Sequence, residues 1–74
     1  MSRKHPVLTA KQLIRLLEQK GFRFSRQSGS HAIYVNDEGL RTTVPIHGKK
    51  DLGTGLLGQI MKDTGLTNDD LGNA

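Results

Sequence analysis

The 74-residue sequence contains no cysteine. That excludes disulfide staples, thiolate metal sites and a cysteine nucleophile, and it fits a reducing, intracellular setting. No apolar run reaches the length of a signal-peptide core or a membrane span, so the chain reads as soluble and cytoplasmic, with no membrane partner. His-Glu-x-x-His and comparable ligand sets are missing, and His5, His31 and His47 are scattered without clustered carboxylates, so no metal is expected. The Gly-x-x-x-x-Gly-Lys-Ser/Thr order of a Walker A loop is also missing, which removes a nucleotide site, and no cofactor is expected. Without an internal repeat or a linker, residues 1–74 read as one small domain whose stability comes from packing a few elements together.

Acidic residues are sparse where basic ones are dense. Residues 1–50 hold ten Lys and Arg against three Asp and Glu, a net +7, whereas residues 51–74 hold one against four, a net −3. A concentrated positive field favours a polyanionic partner, nucleic acid or an acidic protein, although it also serves simply to keep a small protein soluble.

Pro6 and a basic lead mark residues 1–8 as a flexible tail. Thr9 and Gln12 then have the spacing of a capping box, in which two side chains satisfy free N–H groups of a first helical turn. Leu13, Leu16 and Leu17 form one apolar stripe with Ile14 at its margin, and Gly21 followed by Phe22 reads as a helix end, so a helix is expected from about Ala10 to Lys20. Phe22, Phe24 and Arg26 alternate with Arg23, Ser25 and Gln27 as a first strand. Ser28-Gly29-Ser30 is turn chemistry, and His31 to Asn36 is a second strand with His31, Ile33 and Val35 on one face. The two apolar β-branched residues are expected to face the core, which puts His31 at the rim of the helix-covered side. Asp37-Glu38-Gly39 is a hairpin turn into a third strand, Leu40 to Ile46, where Pro45 marks a strand end or a sheet edge. After the loop His47-Gly48-Lys49-Lys50, Thr54 is the expected N-cap of a second helix with the stripe Leu56, Leu57, Ile60 and Met61. Gly65 and Leu66 are expected to close it as Gly21 and Phe22 close the first. Residues 68–74 read as a second flexible tail, leaving a core of about 9–67. The fold class is α+β, a two-layer α-β-β-β-α sandwich with a three-stranded antiparallel sheet and both helices on one face.

His31 is the residue this organisation singles out, because it stands on a strand beside a small-residue turn that a substrate backbone can approach closely. Ser30 and His31, adjacent on an extended chain, point apart and make a poor pair for a Ser-His-Asp triad. RNA cleavage is a better fit, since RNA carries its own nucleophile. A neutral imidazole that takes the proton of a ribose 2′-OH lets that oxygen attack the neighbouring phosphate, and cations stabilise the developing charge. An ordinary imidazole titrates near neutral pH, as this work requires. Arg26, Lys49 and Lys50 are the cations expected beside it. A structural or merely exposed histidine, and a merely solvated lysine loop, are the plainer readings of the same residues.

The ordered set Gly21-Phe22, Arg26, Gly29-Ser30-His31, Tyr34, Val44-Pro45, His47, Lys49 and Leu56-Leu57-x-x-Ile60 resembles the HicA-type toxins, mRNA interferases of toxin–antitoxin pairs, over about residues 9–67. The resemblance implies a double-stranded-RNA-binding-domain-like fold, metal-independent endoribonuclease activity on mRNA, and neutralisation by a HicB-type antitoxin that covers the active site. It places the family's catalytic histidine on His31, while His47 corresponds to a second histidine and is a candidate acid for the leaving oxygen. Many relatives carry a further histidine directly after the catalytic one, where this chain has Ala32. Lys49-Lys50 resembles the phosphate-gripping cluster of double-stranded-RNA-binding domains. The expected RNA-binding set is therefore Arg26, Gly29, Ser30, His47, Lys49 and Lys50, the expected substrate is unpaired RNA, and the free toxin is expected to be monomeric. Two alternatives stay open: a non-catalytic RNA-binding module using a basic face, and an interaction domain for an acidic protein.

Overall fold

A computed structural model of the chain describes residues 8–46 and 51–72. The element order is α1 (Ala10–Gln19), β1 (Arg23–Ser28), β2 (His31–Val35), β3 (Arg41–Pro45), α2 (Thr54–Thr64) and a short α3 (Asn68–Gly72). The strands form one antiparallel sheet in the order β1-β2-β3. One apolar cluster holds it to the helices: Leu13, Leu16 and Leu17 of α1 and Leu57 and Ile60 of α2 meet Ala32, Tyr34 and Val44 on a single face of the sheet. Among the described residues, the opposite face carries no helix. The expected α-β-β-β-α sandwich is thus present.

The ends of α1 follow their residue types closely. Gln12 N–H donates to Thr9 Oγ1 at 3.3 Å and Thr9 N–H to Gln12 Oε1 at 2.9 Å, a complete capping box. At the other end Gly21, with φ 93°, lets Phe22 N–H reach back to the Leu17 carbonyl at 2.9 Å and bury its ring. α2 ends as expected on a left-handed Gly65, φ 79°, and a buried Leu66, but differs at its start and in one closing hydrogen bond. Gly53 is its N-cap, with no side-chain bond, and Thr54 is already helical. At its C-terminus Gly65 N–H bonds to the Met61 carbonyl, while Leu66 N–H goes to the Thr64 hydroxyl, which itself donates to the Ile60 carbonyl at 2.7 Å. Threonine has therefore taken the hydrogen bond that a backbone carbonyl accepts at the end of α1.

Two further expectations are overturned. Ala32 and Tyr34, not Ile33 and Val35, face the core, while Ile33 and Val35 are only half-buried on the helix-free face. The small Ala32 side chain leaves room for the helical leucines, and Tyr34 lies beneath them, edge-on to Phe24 at 5.8 Å between centroids. Residues 68–72 are helical rather than a loose tail. Thr67 and Asp70 cap α3 reciprocally, Asp70 Oδ1 meets Lys20 Nζ at 3.0 Å, and Leu71 is 2% exposed in the core. Leu8 is likewise buried, and its carbonyl accepts from Leu52 N–H at 2.7 Å.

Candidate active site on the helix-free sheet face

The β1–β2 connection has Gly29 and Ser30 as its central residues, between the cross-strand partners Ser28 and His31. Gly29 has φ 59° at the first central position, as a type II′ hairpin demands, and Gln27 Nε2 braces the turn by donating to the Gly29 carbonyl at 2.9 Å. Ile46 N–H donates to the Ser30 carbonyl at 2.6 Å, which carries the third strand's ladder to the mouth of this hairpin. Ile46 therefore lies at the end of the sheet that holds Gly29, Ser30 and His31. His47, Lys49 and Lys50, expected at the site, lie outside the described residues.

Strand register fixes what surrounds His31. Across the sheet, Ser28, His31 and Pro45 form one rung, Arg26, Ile33 and Thr43 the next, and Arg23, Val35 and Arg41 a third. Partners in register share a face. His31 therefore stands, exposed, on the helix-free face and not at the rim of the covered one, because Ala32 takes the core position. Arg26, expected beside it, shares this face, and does so only because the β1–β2 register shifts between Phe24 and Arg26. Phe24 stays on the other face at 52% exposure. Arg41 and Arg23 complete the basic surface. These two were missed, since their placement needs the face of Val35 to be known. Arg23 is partly neutralised by Asp37 at 2.7 Å, while Arg26 and Arg41 have no ion pair among the described residues. No Asp or Glu occurs within the three strands.

The other titratable group of β2 is Tyr34. Burial first, and then the Glu18 carboxylate, raise its phenol above the ordinary 10.0, so it stays protonated at neutral pH and is no base. Beside His31, a groove of about 360 Å³ runs between the β3 edge and α2, with Arg41, Thr42, Pro45, Gln59 and Asp63 among its lining residues. Among the described residues no group of three or more His, Asp or Glu could hold a metal ion, and no helix is long and apolar enough to cross a membrane.

The chain is thus a small α+β sandwich with one open, basic sheet face and an exposed histidine at its hairpin mouth. The family model described as HicA toxin of bacterial toxin-antitoxin matches residues 10–66 of the 74, and the chain belongs to that family. No curated protein matches the sequence. As a toxin of a toxin–antitoxin pair, the chain has an antitoxin for a partner.

Proposed function

We propose that the chain is a metal-independent endoribonuclease that cleaves mRNA to arrest translation and growth in the cytoplasm, with His31 as general base. The observation that supports this best is the placement of His31 on an exposed sheet face that it shares with Arg23, Arg26 and Arg41 and with no strand carboxylate. RNA phosphates would be gripped by the arginines, together with Lys49 and Lys50, while Gly29 and Ser30 allow the backbone to come close. Neutral His31 accepts the proton of a ribose 2′-OH, and the freed oxygen attacks the adjacent phosphorus. The bond to the 5′ oxygen breaks, a cyclic phosphate is left, and the leaving oxygen takes a proton, for which His47 is the candidate donor. Cationic side chains act on the extra negative charge of the pentacoordinate state. Such a surface suits a HicB-type antitoxin that covers it, and a free toxin that is monomeric.

A second reading has its own support. The His31 side chain has no hydrogen-bond partner among the described residues to orient its ring, as a module that binds RNA without cutting it would also allow. Induction of the chain and of His31→Ala in cells, with growth and RNA integrity followed, separates the two. The ribonuclease reading expects arrest and mRNA loss with the parent and neither with the variant, and a His31→Ala protein that still degrades RNA would end it. RNA binding without cleavage by either protein would establish the binding module.

A further inference from the structure

The groove beside His31 differs in chemistry from the face it adjoins. Its far wall carries a carboxylate, Asp63, held from two sides: Thr42 Oγ1 donates to Oδ2 at 3.1 Å and Gln59 Nε2 to Oδ1 at 3.0 Å. Each oxygen of an ionised carboxylate accepts more than one hydrogen bond, so both retain capacity after these contacts. An acid fixed in this way repels phosphate, so the groove is not a continuation of the phosphate track. It is suited instead to a neutral group that donates hydrogen bonds. The remaining lining is partly apolar, with Pro45 on the strand side and Leu56 and Ile60 on the helix side, and the volume of about 360 Å³ lies at the small end of the range of roughly 300–1,000 Å³ usual for ligand pockets. Arg41 and His31 both line it, so a ligand there has the basic face at its edge.

We propose that this groove is a subsite for one unpaired nucleobase, guanine, next to the phosphate presented to His31. The proposal rests on the reading of the chain as an RNA-cutting or RNA-binding protein and names what that surface selects. Guanine is the base whose pairing edge offers two adjacent donors, N1–H and the N2 amine, to the two oxygens of one carboxylate. Cytosine and adenine offer an amine beside an acceptor, and uracil one N–H between two acceptors. Sequence-specific RNA readers work in this way, splaying out an unstacked base and reading its pairing edge. Thr42 and Gln59 are positioning residues, since they hold the carboxylate and need not touch the base.

The test uses binding, so that it does not depend on cleavage. Short all-uridine RNAs with 2′-O-methyl riboses, which cannot be cut through the 2′ oxygen, would carry one central guanosine, inosine, adenosine or cytidine, and their affinity for the full chain would be read by fluorescence anisotropy. The guanosine oligomer should bind roughly five- to a hundredfold more tightly than the adenosine one, the range of one bidentate base contact. Inosine, which lacks the N2 amine, should lose much of that gain. Asp63→Asn should abolish the preference without weakening binding to the all-uridine RNA. Gln59→Ala, a change on an exposed helical surface, should narrow the preference and guards against a folding defect in the first variant. Equal affinities for all the oligomers, or a guanosine preference that survives Asp63→Asn, would overturn the proposal. If the preference holds but unmodified RNA stays uncut, the subsite stands and only the ribonuclease reading falls. If RNA is cut without any base preference, the reverse is true.

Discussion

Arg26 and Ile33 are cross-strand partners because Ser25 is an extra residue in β1. On a regular strand Arg26 shares a face with Phe24, two positions earlier, as the plain alternation of the sequence suggests. The shift between Phe24 and Arg26 moves the guanidinium to the helix-free face, where His31 and Arg41 already stand. Irregularities of this kind recur where a strand must re-aim one side chain.

Arg26→Ala and Arg41→Ala should each weaken RNA binding and lower the slope of log affinity against log salt by about 1, as loss of one phosphate contact does. Arg23→Ala should change the slope less, because Asp37 already pairs with it at 2.7 Å. All three side chains are exposed, so stability should stay within about 0.5 kcal/mol of the parent. Affinity titrations over a range of salt, with a urea melt of each variant, check both halves.

Local signals carried the reading of the fold a long way. The capping box at Thr9, the leucine stripe of α1, the Gly29 turn and the Asp37-Glu38-Gly39 turn are written in adjacent residues, and each lies where its residue types direct. The face of β2 is not local information. Ile33 and Val35 are more apolar than Ala32 and Tyr34, so hydropathy alone turns the strand over. Register decides otherwise: the loop across residues 37–39 pairs Ala32 with Val44 and Tyr34 with Thr42, and the buried side chains of β3 then fix those of β2. Placement of the candidate site followed from that face. His31 and Arg26 were legible as neighbours, because the first two strands bracket the Gly29 turn, but the helix-free face that carries them was not. Asp63 was invisible, since it lies more than thirty residues from His31 and approaches the groove only through the packing of α2 on β3.

Leu71 offers a direct check on the last element. A flexible tail tolerates truncation of a leucine, but this side chain is 2% exposed and joins the same cluster as Leu17. Leu71→Ala should therefore cost about 2–5 kcal/mol, the usual range for a buried leucine. In a domain of this size that is a large part of the total, so the urea midpoint should fall steeply.

Acid should loosen the same corner. The Thr67 backbone N–H first, and then Lys20, hold the Asp70 carboxyl below its ordinary value of 3.8. A carboxyl whose folded value is depressed stabilises the fold at pH above its unfolded value, and that contribution is lost as pH falls through the folded one. The contribution is thus intact at pH 7 and declines below about pH 4. Asp70→Asn should lower stability at neutral pH and flatten the loss below about pH 4, which urea melts of both proteins at several pH values would show.

Two glycines to which an added methyl is sterically harmless should respond in opposite senses. At both Gly29 and Gly58 a Cβ would meet nothing within 4 Å, so neither substitution creates a clash. Gly58 lies exposed within α2, where glycine costs backbone entropy, and Gly58→Ala should stabilise by roughly 0.5–1 kcal/mol. Gly29 has φ 59° in the hairpin, a region that a side chain disfavours, so Gly29→Ala should destabilise by about 1–2 kcal/mol. The turn can relieve that strain by shifting, and its last residue adjoins His31, so RNA cleavage by Gly29→Ala should fall further than its loss of folded population explains. Rates measured well below the melting temperature separate the two effects. A Gly29→Ala protein as stable and as active as Gly58→Ala would show that the hairpin does not hold the histidine in place.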